Sequence, residues 1–163
     1  KDADTLIRTF EVLPEYLKTN TRGQVNDYRD WGIPLGRRFR ALKLWFVMRS
    51  YGLNGLRKRI REHIELNEFF AKEIANHKDF ELVLDPFLNF TCFRYKPVDA
   101  RESDLNELNQ KLKDRLNESG KLFLSHTKIG DKYVLRFVIG QTYVEKKHIV
   151  KALDVIMEMV KPS

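Results

Sequence analysis

Asp27-Tyr-Arg-Asp-Trp-Gly-Ile-Pro-Leu-Gly36-Arg-Arg-Phe-Arg-Ala-Leu-Lys-Leu-Trp-Phe-Val-Met-Arg-Ser-Tyr-Gly52 falls into three unlike parts. A polar-aromatic lead-in over residues 27–31 runs into the turn-forming Gly32-Ile-Pro-Leu-Gly36. The third part carries Arg37, Arg38, Arg40, Lys43 and Arg49 among large apolar residues, with Phe39, Leu42, Trp45 and Phe46 at helical spacing. Apolar residues all round a helix, with cations between them, do not make an ordinary amphipathic surface. They predict a helix over residues 36–51 that is covered on most sides and whose charges meet partners.

The basic charge is concentrated around this stretch. Residues 1–60 hold 13 Lys+Arg and 6 Asp+Glu, an excess of 7, whereas residues 61–163 hold 17 of each. A uniformly basic surface is therefore excluded. Arginines interleaved with Phe39 and preceded by Trp31 leave open a basic nucleic-acid-binding module, with phosphate contacts and stacking. Against it, Leu42, Leu44, Trp45, Phe46 and Val47 would have to lie in the core of the same helix, and no RRM, KH or helix-turn-helix signature accompanies them. A structural, ion-paired helix is the preferred reading.

At 42% hydrophobic and 12% aromatic residues over 163 positions, the composition is that of a globular domain. No apolar run approaches the roughly 20 residues of a membrane span. A single cysteine, Cys92, excludes an intramolecular disulfide framework, fits a reducing compartment, and reads as a small core residue. The chain opens on Lys1 in a polar segment, as an excised piece of a longer protein would.

Beyond Gly52, a short break over residues 52–54 leads to a second helix over about 55–76, with Leu56, Ile60, Ile64, Asn67, Phe70 and Ile74 on one face. Strands are expected over residues 80–84, 89–95, 121–127 and 132–140, the last two joined by a turn around Ile129-Gly130-Asp131. Asp104 with Glu107, and Thr142 with Glu145, have capping-box spacing and open two more helices. One carries Leu105, Leu108, Leu112 and Leu116 and stops at Gly120; the other carries Ile149, Ala152, Leu153, Ile156 and Val160. The order is an α+β layer, an antiparallel sheet with helices packed on one side.

Chemistry-bearing spacings are sparse. The four histidines (His63, His77, His126, His148) stand singly, with no zincin, EF-hand or Cys-x-x-Cys pattern, so no metal site is expected. No Walker A loop or Gly-x-Gly-x-x-Gly is present, and Gly23, Gly32 and Gly36 are not spaced as a phosphate cradle. Ser125-His126 has the residue types of a nucleophile and base but no third, orienting group.

The opening stretch closely resembles a segment of the pyridoxal-phosphate-dependent group II amino-acid decarboxylases: the aromatic-L-amino-acid, tyrosine, tryptophan and histidine decarboxylases. The resemblance continues through Arg61-Glu-His-Ile-Glu-Leu66, Phe90-Thr-Cys-Phe-Arg94, Ser119-Gly-Lys-Leu-Phe-Leu-Ser-His-Thr127, Tyr133-Val-Leu-Arg-Phe137 and Glu145-Lys-Lys-His148. It implies the C-terminal portion of a fold type I, aspartate aminotransferase-like enzyme. Residues 1–35 would end the large cofactor-binding domain, with a mobile catalytic loop at about 10–26. Residues 36–78 would be connecting helices, and residues 79–163 the small C-terminal α+β domain.

The resemblance also implies pyridoxal 5'-phosphate as cofactor, bound mainly by residues ahead of Lys1, where the cofactor lysine of a His-Lys pair is expected. This chain is expected to lack that pair and to be inactive alone. The implied partners are the rest of its own polypeptide, a second subunit in a homodimer with active sites at the interface, and an amino acid; nucleic acid and membrane are not among them.

Two site residues carry over by resemblance. Leu13-Pro14-Glu15-Tyr16-Leu17 matches the family's mobile-loop pattern, in which the tyrosine closes over the partner's active site and protonates the carbon that has lost CO₂. Tyr16 is thus the implied catalytic residue and favours simple decarboxylation over aldehyde formation. Gly36 matches a position near substrate and cofactor where glycine goes with bulky aromatic substrates. The implied activity is conversion of an L-amino acid, aromatic by preference, to its amine and CO₂. A non-aromatic substrate or an aldehyde synthase of the same family is the alternative.

Overall fold

In the computed structural model of the chain, the described residues are 2–10, 31 and 39–160, with only the backbone of Arg40. The chain divides into two compact units, Lys1–Leu53 and Asn54–Ser163.

The first unit begins with α1 (Ala3–Phe10). Its start is set locally. Asp2 Oδ1 accepts from the backbone N–H groups of Asp4 (3.0 Å) and Thr5 (3.3 Å), and Asp2 Oδ2 accepts from the Thr5 hydroxyl. Two orphan N–H groups of the first turn are thereby satisfied. These bonds, the Thr5 hydroxyl's first, hold the Asp2 carboxyl below its ordinary range.

Helix α2 (Arg40–Asn76) starts in the first unit and continues in the second, interrupted at Gly52 (φ 62°, ψ 175°). That backbone conformation is essentially open only to glycine, so the break predicted at residues 52–54 has its cause in one residue.

The second unit is built on a four-stranded antiparallel sheet of order β1-β2-β4-β3: β1 (Phe80–Leu82), β2 (Phe90–Tyr95), β3 (Ser125–Ile129) and β4 (Lys132–Val138). The β1–β2 hairpin is followed by helix α3 (Leu105–Glu118), which carries the chain to the far edge. The β3–β4 hairpin then returns a strand to the middle, and α4 (Lys146–Val160) closes the unit. Phe70 and Ile74 of α2, Leu112 and Leu116 of α3, and Ile149, Leu153 and Ile156 of α4 form one core with Phe93, Leu135 and Phe137 of the sheet. At its centre the Phe70 ring stacks on Phe137 (centroids 3.8 Å, planes 9° apart) and meets Phe93 edge-on at 5.6 Å. Truncating such a ring costs about 3–5 kcal/mol.

Three expectations need correction. The first strand ends at Leu82 rather than residue 84, and β3 begins at Ser125 rather than residue 121. The reason for the late start is Asn117, whose side chain accepts from the Leu124 N–H (2.8 Å) and donates to the Leu124 carbonyl (3.0 Å). With both polar groups of Leu124 engaged by α3, that residue has neither left to extend the pairing with β4. Neither capping box forms. A 3-10 turn (Glu102–Asp104) leads into α3, and the Asp104 carboxylate accepts from Ser103 Oγ at 2.8 Å while Glu107 pairs with Lys111 at 2.5 Å. At α4, His148 Nδ1 accepts from the Glu145 N–H at 3.0 Å, so a histidine takes the reciprocal role expected of a carboxylate.

Candidate functional site

Both residues carried over as functional, Tyr16 and Gly36, lie outside the described residues, as do Arg37 and Arg38. The described part of the opening stretch corrects the expectation of a covered helix. Phe39 is 73% exposed, and Leu44, Trp45, Phe46 and Met48 lie between 55% and 61% exposed. Arg49 finds its partner on the same helix, with its guanidinium carbon 5.9 Å from the Trp45 ring centroid. The apolar–basic pattern does make a helix, but the described residues do not supply the surface that covers it.

In the second unit Asn67 and Asn109 are buried, and Asn106 is exposed. Asn67 is completely buried on the apolar face of α2. Its Nδ2 donates to the carbonyls of Leu88 and Phe90, both at 3.2 Å, and its Oδ1 accepts from the Thr91 hydroxyl at 2.8 Å. On α3, Asn109 does the same for β2: Oδ1 accepts from the Tyr95 N–H, and Nδ2 donates to the Tyr95 carbonyl, each at 2.8 Å. Asn106 accepts from the Tyr133 N–H (2.7 Å) and donates to the Asp131 carbonyl (2.7 Å). An amide carries donors and an acceptor side by side, so one asparagine can satisfy both backbone groups of a strand residue. In the sequence Asn67 reads as one more face residue, and this role goes unseen; an asparagine in register with an apolar stripe is the available signal.

Arg94 is the other buried polar group, its side chain 1% exposed. Nε donates to Glu81 Oε1 at 2.8 Å, and Nη2 reaches both Glu81 and, at 2.8 Å, Glu102. Lys96 Nζ adds a contact to Glu81 Oε2 at 2.8 Å. Burial pushes the Glu81 carboxyl up, but hydrogen bonds from Lys96 and Arg94 outweigh it and hold the group below its ordinary value. The cluster fastens β1 and the 3-10 turn to β2. Cys92 is buried as expected, and burial raises its thiol against the opposing pull of Arg136.

None of this is catalytic geometry. Ser125 and His126 are consecutive on β3 and so point to opposite faces, and His126 stacks on Tyr133 with centroids 4.6 Å apart. Among the described residues no group of three or more His, Cys, Asp or Glu is placed to hold a metal ion. An open groove of about 520 Å³ is lined by Glu62, Glu65, Leu66, Phe69, Val144, Glu145 and Lys146. Two of its carboxylates are already paired, Glu62 with Lys58 and Glu145 with Lys147.

The described residues also do not fit a pyridoxal-phosphate site. Contrary to expectation the chain does contain one His-Lys pair, His77-Lys78, but it forms the turn from α2 into β1. There His77 Nδ1 accepts from the Asp79 N–H at 3.3 Å and the ring packs against Phe80. Lys78 is exposed, and the half-buried Lys113 is held by Asp114 at 2.9 Å, so neither is a lysine waiting in an apolar pocket for a carbonyl.

The architecture, a small antiparallel α+β layer preceded by a long broken helix, is shared with known enzymes. It superposes on the crystal structure of Oryza sativa TDC with PLP and tryptamine with a TM-score of 0.69 and 36% identity, over 94% of this chain and 32% of that one. Residues 1–96 match the pyridoxal-dependent decarboxylase conserved domain. Tyrosine decarboxylase 2 of Arabidopsis thaliana is 42% identical over 160 residues, 97% of this chain and 29% of the relative. Phenylacetaldehyde synthase of the same plant is 45% identical over 161 residues, 97% of this chain and 33% of the relative. The chain therefore belongs to the pyridoxal-dependent decarboxylase family. It spans about a third of the length of the curated relatives it matches.

Proposed function

We propose that this chain is the C-terminal third of a pyridoxal-5'-phosphate-dependent decarboxylase, a cytoplasmic homodimer that converts an aromatic L-amino acid to its amine and CO₂. The observation that carries the reading is the similarity itself: 42% identity to a tyrosine decarboxylase over 97% of the chain, together with the family match over residues 1–96. The cofactor, when bound, supplies the electron sink for loss of CO₂. By the family resemblance the cofactor is bound mainly by residues ahead of Lys1.

Within this chain the working residues are Tyr16 and Gly36. A phenol on a loop can deliver a proton to the carbon left by CO₂ and exclude water as it closes. A glycine leaves room for an aromatic ring where any side chain would intrude. The second subunit receives Tyr16 in this reading. The exposed apolar helix of residues 41–50 is then covered in the assembled enzyme, which accounts for large side chains such as Trp45 and Phe46 standing more than half in solvent here.

An aldehyde synthase is the second reading, favoured by the 45% identity to phenylacetaldehyde synthase. The test is one assay. Full-length protein, given tyrosine, tryptophan and phenylalanine in turn, is expected to release CO₂ and the matching amine. Equimolar aldehyde in place of amine would support the synthase, and no CO₂ from any of the three would sink both.

A further inference from the structure

An open cavity of about 270 Å³ lies between α3 and the last turn of α4, where β2 ends. Leu108 and Leu112 of α3, with Met159 and Val160 of α4, give it an apolar lining. Tyr95 of β2 and the cations Lys111 and Arg115 of α3 complete it. Sites for drug-sized ligands run to roughly 300–1,000 Å³, so the occupant this cavity admits is smaller, a single ring or a short chain.

The phenol is fixed before any ligand arrives. Asn109 holds both the N–H and the carbonyl of Tyr95 at 2.8 Å, and the Tyr95 ring packs on Phe80 with centroids 5.3 Å apart. Among the described residues nothing accepts from or donates to the Tyr95 hydroxyl. Burial, and after it the Asp79 carboxylate outside the cavity, push the phenol up, so it keeps its proton and can donate. Lys111 and Arg115 stand four residues apart on α3, where like charges face each other and repel. Glu107, 2.5 Å from Lys111, offsets the first, but the Arg115 guanidinium has no carboxylate among the described residues. Two cations and a fixed donor at the edge of an apolar lining suit an anion, and the arginine fork matches a carboxylate.

We propose that this cavity binds a small monocarboxylate with an apolar body, an arylalkanoate being the fitting class. The body lies on Leu108, Met159 and Val160, and the carboxylate is held by Arg115 with Lys111 and the Tyr95 hydroxyl beside it. None of the side chains lining the cavity is a carboxylate, so an α-ammonium group would lose water there beside two cations and gain no anionic partner. The site therefore selects the acid over the amino acid of the same skeleton. A bare phosphate would meet the cations but leave the apolar lining in water. All the residues involved belong to the second unit, and the inference stands apart from the decarboxylase reading.

The test is calorimetric titration of full-length protein with 3-phenylpropionate, in the wild type and in Arg115→Gln. Arg115 is exposed, so the variant is expected to fold, and unchanged circular dichroism checks it. D-phenylalanine, with the same ring and carboxylate plus an ammonium group, serves as the comparison ligand, because the L form could be consumed. Binding of 3-phenylpropionate that weakens about tenfold in Arg115→Gln is expected, the usual loss for a hydrogen bond to a charged group. Tyr95→Phe, which removes only the hydroxyl, should weaken it several-fold. Binding that is equal in wild type and Arg115→Gln, or absent from the wild type at millimolar ligand, would overturn the proposal. Arg115-dependent binding of D-phenylalanine as tight as that of the acid would overturn the selection against the ammonium group. Decarboxylation is assayed separately on the same preparations, so failure of the enzymatic reading leaves this result intact.

Discussion

Asn67 on α2 donates a hydrogen bond to the Leu88 carbonyl across 21 positions of sequence, and so ties the long helix to the tip of the first hairpin. The same side chain serves Phe90 and Thr91, so three groups depend on one buried amide. Leaving a buried polar group unpaired costs about 1–3 kcal/mol. Asn67→Ala is therefore expected to destabilise the fold by roughly 2–4 kcal/mol in urea denaturation followed by circular dichroism. Thr91→Val, which removes only one donor, should cost about 1 kcal/mol and should cost nothing further in the Asn67→Ala background. Full additivity of the two losses would show that the pair does not interact.

The Arg94 cluster makes stability depend on acid. Glu81 sits below its ordinary value of 4.5 in the folded state, so its contribution is complete above that pH and is lost as pH falls through the depressed value. Glu81→Gln removes the titrating group. The variant should be less stable than wild type at pH 7, and the gap should close as the pH is lowered below 4.5. A gap that stays constant down to about pH 3 would assign the acid sensitivity elsewhere.

Gly52 allows a test of the break in α2. A Cβ there would meet nothing within 4 Å, so any cost of Gly52→Ala is conformational rather than steric with a neighbour. With φ at 62° that cost is about 1–3 kcal/mol. Faster amide exchange in residues 41–51 of the variant is expected; unchanged exchange and stability would mean that the backbone passes this position in a conformation open to alanine.

The periodic elements are legible in the sequence because a single face pattern specifies them. Leu105, Leu112 and Leu116 mark the buried stripe of α3, and alternation in residues 132–138 gives β4. The local polar signals mislead. Asp104 and Glu107 have the spacing of a capping box, yet each finds a nearer partner in Ser103 and Lys111. Strand pairing before Ser125 is pre-empted by Asn117, whose amide takes both backbone groups of Leu124 seven residues on, a side-chain contact that apolar alternation does not encode. The covered helix over residues 36–51 is an inference from composition, and composition records what a segment needs rather than which chain supplies it. Tyr16 and Gly36 are reachable only through family resemblance, since neither a lone tyrosine nor a lone glycine carries a chemical signature of its own.

The central claim, that Tyr16 donates the proton that completes decarboxylation, is tested most directly by product analysis of full-length protein carrying Tyr16→Phe. General acid catalysis contributes roughly 10²-fold or more, so amine formation per enzyme should fall by about that factor with the cofactor absorbance band retained. Unchanged amine yield from the variant would contradict the account.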